Sequence, residues 1–281
     1  MSWFTRTVAI DWSGAKGARH KGIAIAEARA GTPPRLVRPT HVWSRQEVLD
    51  WLVLEAAKEP TLFGFDFSFA PPMIERGSYL PGEDVPATAR ELWAYVDARC
   101  DDVDLGAASF LETLHRKHFY FGIADGVKAD FVFFRQCDQH LNAAGGRKTA
   151  SAYDAIGAAQ VAKASFSGMR FLHHLDGKVT IWPVDELRRG ESAAVEIYTR
   201  IYIRNAGLSG KKIRTTAELN RALVALGSLP VKLRRTPTDH QTDALVTAAG
   251  MLAHLDSSQA FNPPGLTPEI ARTEGWTFGI V

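Results

Sequence analysis

The chain has 281 residues, 46% of them hydrophobic and 23% charged, and a formal net charge of +2. That is the composition of a globular protein with a full core, and it excludes a disordered, fibrous or uniformly basic nucleic-acid-coating chain. No apolar run approaches membrane-spanning length, and the N-terminus lacks the apolar stretch and small-residue cleavage site of a secretory signal. Cys100 and Cys137, in unrelated contexts, suggest neither a disulfide framework nor a thiolate zinc site. A cytoplasmic protein without membrane association is expected.

Three strand candidates open the chain, at 5–12, 21–29 and 35–43, and the short Gly- and Pro-bearing turns between them predict an antiparallel meander. Ser44-Arg45-Gln46-Glu47 has the form of a capping box, and Val48, Trp51, Leu52 and Ala56 follow at helical spacing until Pro60. Thr61-Leu62-Phe63-Gly64-Phe65-Asp66 is apolar almost to its last residue, as in a parallel strand buried on both faces. The order so far is β-β-β-α-β.

The texture changes over 70–150, which reads as an insertion after the fourth core strand of a single domain spanning 1–281. It holds a helical stretch near 86–99 and aromatic segments at 118–122 and 131–134, and is expected to carry its own small hydrophobic cluster. Its aromatics are read as packing area in preference to base-stacking platforms. Beyond it, 152–174 predicts a long helix rich in small residues. Strand-like pieces follow at 179–182 and 194–198, the second being the last central strand. Thr215-Thr216-Ala217-Glu218 predicts a capped helix ending near Gly227. Thr236-Pro237-Thr238-Asp239 predicts another, with proline at its first helical position, running to about Leu255.

Two carboxylates each end an apolar strand: Asp11 after Val8-Ala9-Ile10, and Asp66 after Leu62-Phe63-Gly64-Phe65. In an α/β sheet of five strands ordered 3-2-1-4-5, with strand 2 antiparallel and helices flanking, strands 1 and 4 are neighbours at a topological switch point, where ligands favour binding. Two carboxylates side by side there repel unless a cation or proton intervenes, and hard oxygen ligands select Mg²⁺ or Mn²⁺. Asp243, a turn into the last helix among apolar residues, is the third expected ligand, because an unpaired charge there is costly. Asp239 shares its helix face and is read either as a ligand or as the reciprocal partner of a Thr236 cap. Glu196 interrupts the last strand and is read either as a fourth catalytic carboxylate or orienter of attacking water, or as one half of a salt bridge to a nearby arginine. Basic clusters at Arg19-His20-Lys21, His115-Arg116-Lys117-His118, Arg147-Lys148, Lys211-Lys212 and Arg234-Arg235 suit a phosphate-rich partner if the fold gathers them around one cleft.

Aspartate in the first strand, an acidic residue ending the fourth and Asp243-Ala244-Leu245 in a late helix resemble the RNase H-like superfamily, in particular its RuvC-type resolvase branch. Ala9-Ile10-Asp11, Gly64-Phe65-Asp66, Trp182-Pro183-Val184-Asp185, Val195-Glu196-Ile197-Tyr198 and Asp239-His240-Gln241-Thr242-Asp243-Ala244 are together similar to an uncharacterised bacterial family of predicted RNase H-like nucleases, over most of the chain outside 70–150. The resemblance implies a metal-dependent nuclease acting on DNA or RNA, with Asp11, Asp66 and Asp243 as ligands and His240 or Asp239 one turn before Asp243; His240 is expected as a supporting residue behind the ligands. The chain departs from that family at Thr199, where proline is usual.

Two other functional classes compete. A phosphotransferase or ATPase of the actin and sugar-kinase superfamily shares this core topology, and Asp11-Trp12-Ser13-Gly14-Ala15-Lys16-Gly17 faintly resembles its first phosphate loop, although a turn joining strands 1 and 2 accounts for the same residues. A non-catalytic module binding nucleic acid or protein is the other, against which the intact carboxylates argue. The chain lacks the Gly-x-Ser-x-Gly elbow of a triad hydrolase.

Overall fold

The computed structural model describes residues 4–145, 149–156, 160–208 and 212–281. Six strands form one mixed sheet: β1 (Arg6–Asp11), β2 (Ala24–Ala28), β3 (Arg35–Leu36), β4 (Thr61–Phe65), β5 (Thr180–Ile181) and β6 (Ala193–Glu196). Their spatial order is β3-β2-β1-β4-β6-β5. β2 is antiparallel to β1 and β3, whereas the β1–β4, β4–β6 and β6–β5 pairings are parallel. The five-stranded order expected from sequence is thus not matched as it stands. The last central strand takes its expected place beside β4, but the 179–182 piece pairs beyond it as a two-residue edge strand, Thr180 and Ile181 lying opposite Ala193 and Ala194. The 35–43 candidate also shortens. Arg38 adopts φ 47°, a turn closes where His41 N–H donates to the Arg38 carbonyl, and Trp43 returns only as a single bridge to His20.

The helices are α1 (Arg45–Ala56), α2 (Ala89–Asp97), α3 (Gln136–Ala143), α4 (Val161–Leu175), α5 (Thr199–Asn205), α6 (Thr216–Ala225), α7 (Asp239–His254) and α8 (Pro268–Thr273). The capping boxes expected at Ser44–Glu47 and Thr215–Glu218 open α1 and α6. α7 begins differently. Its cap is Thr238, whose hydroxyl accepts from Gln241 N–H while the Gln241 side chain closes the box. Pro237 therefore precedes the cap, and Asp239 is the first helical residue instead of the reciprocal partner of Thr236. α4 starts at Val161, later than expected, because the preceding backbone is engaged by the insertion: Tyr120 N–H donates to the Tyr153 carbonyl and Ala155 N–H to the Tyr120 carbonyl, each at 2.9 Å. Residues 157–159 of the expected helix lie outside the described residues.

Side-chain alternation along the strands sorts the sheet into two unlike faces. Val8, Ile10, Ile25, Phe63, Phe65 and Ala194 point to one face and pack with α1, α2, α4 and the insertion. Ala9, Ala24, Ala26, Leu62 and Val195 point to the other and pack with α5, α6 and α7. The buried insertion residues Tyr79, Trp93, Phe110 and Phe119 belong to the first of these cores. The separate cluster expected for 70–150 is not formed, because its apolar side chains cover the sheet's bulky face instead.

Along β1 and β2 the second face is lined by small residues, so α7 comes close: Ala244, Ala248 and Ala249 on the helix meet the alanines of β1 and β2, and the Thr7 hydroxyl of β1 donates to the Ala248 carbonyl at 2.8 Å. Gly64 of β4 belongs to the same contact, since a Cβ there would stand 2.7 Å from Met251 Sδ and from Ile197 Cγ2. On the other side Gly168 admits the Phe67 ring to α4 in the same manner, a Cβ meeting it at 2.4 Å. Overpacking at such a contact costs about 1–3 kcal/mol. Gly64→Ala is expected to lower stability by about that amount, read as a lower midpoint in denaturant unfolding at unchanged slope; an unchanged midpoint would show that α7 is not held at this distance by Gly64.

Candidate metal and phosphate site

Parallel pairing of β1 with β4 brings two carboxylates together. Ile10 stands opposite Phe65, and Asp66 N–H donates to the Ile10 carbonyl at 3.1 Å, so Asp11 and Asp66 leave adjacent strand ends at the same level. Alternation also gives them one direction: Asp11 follows Ala9, and Asp66 follows Leu62 and Gly64, on the face covered by α7. Asp243, in the second turn of α7, arrives from above. The three line one cleft of about 400 Å³ together with His240, Asp239, Lys212, Arg200, Arg135 and Glu196.

The electrostatics follow from that crowding. Burial, reinforced by the charges of Asp11 and Asp243, holds the Asp66 carboxyl well above the usual range. Burial also raises Asp11, against a hydrogen bond and charge from His240. Burial and the charge of Asp11 push Asp243 up to about 6. His240 Nδ1 lies 2.5 Å from Asp11 Oδ2, a contact that raises the affinity of the imidazole for its proton and occupies an oxygen that a cation would use. His240 thus touches Asp11 directly. Three carboxylates kept together while each resists ionisation form a donor set suited to a hard divalent cation. Among the described residues, no group of three or more His, Cys, Asp or Glu side chains is drawn close enough to hold an ion as the side chains stand.

Asp239 and Glu196 occupy the margins. Asp239, 46% exposed, pairs with Lys212 at 2.7 Å, and that hydrogen bond lowers its proton affinity. Glu196 shares its side of β6 with Ala194, opposite to the aspartates, and is 3% exposed. Its two oxygens each accept from Arg135 at 2.6 Å, and they also accept from Phe69 N–H at 2.8 Å and the Thr277 hydroxyl at 2.6 Å. Glu196 thus stands in a buried salt bridge with Arg135. Asp185 of the Trp182–Asp185 motif lies elsewhere, accepting from Ile181 N–H at 2.9 Å and pairing with Arg90.

The basic clusters are mostly engaged away from the cleft. Arg19 pairs with Glu47, Arg116 with Asp125 and Lys117 with Glu83, while Arg147, Lys148 and Lys211 lie outside the described residues. Lys212 is the member of these clusters that lines the cleft among the described residues, and it is joined there by Arg135 and Arg200, which stand in no sequence cluster. The Ser13–Gly17 segment is held by packing: Arg45 donates to the Ser13 carbonyl at 2.7 Å and the Ala15 carbonyl at 2.7 Å, and a Cβ on Gly14 would lie 2.2 Å from the Lys163 backbone. This glycine thus serves a close approach to α4. Comparison with protein-family models, with curated proteins and with solved structures yields no match.

Two outcomes follow from the charges. Because the folded-state pKa of Asp243 is raised, the folded protein binds that proton more tightly than the unfolded chain, and stability falls as pH rises from about 4 towards 6. Metal-free Asp243→Asn is expected to be more stable than wild type at pH 7.5, by on the order of 1–3 kcal/mol, with the difference vanishing at pH 4; equal stability at both pH values would mean that Asp243 is not destabilised by its neighbours. At the other margin, Arg135→Met leaves Glu196 as an uncompensated buried charge and is expected to cost about 3–5 kcal/mol. A loss below 1 kcal/mol in thermal or urea unfolding would mean that water reaches Glu196.

Proposed function

We propose that this protein is a metal-dependent nuclease with an RNase H-like core, hydrolysing phosphodiester bonds of DNA or RNA with Mg²⁺ or Mn²⁺. The convergence of Asp11, Asp66 and Asp243 at the carboxyl ends of neighbouring parallel strands, under a helix pressed close to the sheet, carries the reading. The strand order β3-β2-β1-β4-β6 with β2 antiparallel supports the RNase H-like assignment, with β5 as an edge addition.

Asp11, Asp66 and Asp243 would hold the cation, which when bound supplies a Lewis-acid contact to a phosphoryl oxygen and acidifies water. The chain's own groups do the rest. His240 holds Asp11 by the 2.5 Å contact, and Lys212, paired with Asp239, sets a positive charge at the cleft beside Arg200, where a polyanion is attracted. Glu196 stays with Arg135 and shapes the wall next to Asp66. Cys100 and Cys137 are both free thiols, which supports a reducing cytoplasm as the place of action. Among the described residues, no helix is long and apolar enough to cross a membrane.

Asp11→Asn is expected to abolish Mn²⁺ binding in isothermal titration, together with metal-dependent cleavage of single-stranded and branched DNA and RNA. Undiminished cleavage by the purified variant would remove the mechanism. Cleavage absent from wild type, with Mn²⁺ still bound, would point to a binding module.

A further inference from the structure

Thr199 opens α5 directly beyond β6 and is 6% exposed. Its hydroxyl lies 3.3 Å from Asp66 Oδ2 and 2.9 Å from the hydroxyl of Thr247, a residue 1% exposed and one turn beyond Asp243 on α7. The direction of this chain follows from donor inventory. Thr199 gives its single hydroxyl proton to Asp66 Oδ2; it then has only lone pairs to offer Thr247, and Thr247 donates. Both residues are β-branched and stiff at χ1, and they come from the two elements that flank the strand end, α5 and α7.

We propose that Thr199 is a positioning residue for the candidate metal site: it fixes the orientation of the Asp66 carboxylate, with Thr247 setting the direction of the Thr199 hydroxyl. The inference rests on the metal-site reading given above. It assigns to α5 and α7 a shared task in preparing Asp66, beyond supplying Asp243.

Thr199→Val keeps the branched shape and removes the hydroxyl, and Thr199→Ser keeps the hydroxyl. Losing such a supporting hydrogen bond typically weakens metal affinity about 10–100-fold. Isothermal titration with Mn²⁺ at pH 7.5 is expected to show at least about ten-fold weaker binding for Thr199→Val, near wild-type binding for Thr199→Ser, and an intermediate loss for Thr247→Val. Metal-free melting curves serve as the control for a purely structural effect. Wild-type affinity in both valine variants, whatever their melting temperatures, would overturn the proposal, and Thr247→Val decides alone if Thr199→Val does not fold. Absence of Mn²⁺ binding by the wild type would instead overturn the metal-site reading, and this inference with it.

Discussion

The seating of α7 on the small-residue face of the sheet brings Asp243 down to the strand ends where β1 and β4 hold Asp11 and Asp66. Alanines on β1, β2 and α7, together with Gly64, leave no side chain thick enough to hold the helix away, and the Thr7 hydroxyl bonds to its backbone at Ala248. A bulkier face would lift Asp243 away from the strand ends by the width of a side chain. The other face shows what such bulk looks like: Phe63, Phe65, Val8 and Ile10 sit under α1, α4 and the insertion. The two layers divide the work. The aromatic side packs bulky apolar side chains whose burial offsets conformational entropy, and the alanine side supplies proximity.

Proximity of this kind has a cost. Three carboxylates gathered where burial disfavours their charge oppose the fold at neutral pH, and the backbone bears the load because strand ends and a helix turn cannot drift apart independently. His240 and Lys212 relieve part of the repulsion from outside, and Thr199 bonds to Asp66 from within.

Much of the fold's centre was legible in the residues. The apolar runs ending in Asp11 and Asp66 gave strand ends, and the capping boxes at Ser44 and Thr215 gave helix starts, because these signals are local. The α7 start was misplaced by two residues, since Thr236 and Thr238 both precede candidate partners and only the backbone at Thr238 decides between them. The period-two alternation that separates Glu196 from the aspartates was also present in the sequence: Glu196 shares a side with Ala194, and Asp66 with Gly64. What could not be read there is long-range: that β5 adds itself outside β6, that Arg135 crosses from the insertion to Glu196, and that the Thr199 hydroxyl points at Asp66. Each depends on segments many residues apart being folded against one another, to which neither periodicity nor spacing is sensitive.

The ionic knot around Arg135 bears on how such a protein could be divided. Arg135 reaches Glu196 at the end of a central strand, while Glu274, 1% exposed beside α8, accepts from the backbone of Met73, Ile74 and Gln136. Residues near both ends of the 70–150 segment are thereby fastened to the C-terminal part of the chain by groups that are expensive to leave without partners. The segment is consequently not a detachable accessory. Without it Glu196 would lose its Arg135 partner and Glu274 three backbone donors, leaving two buried acidic groups short of partners.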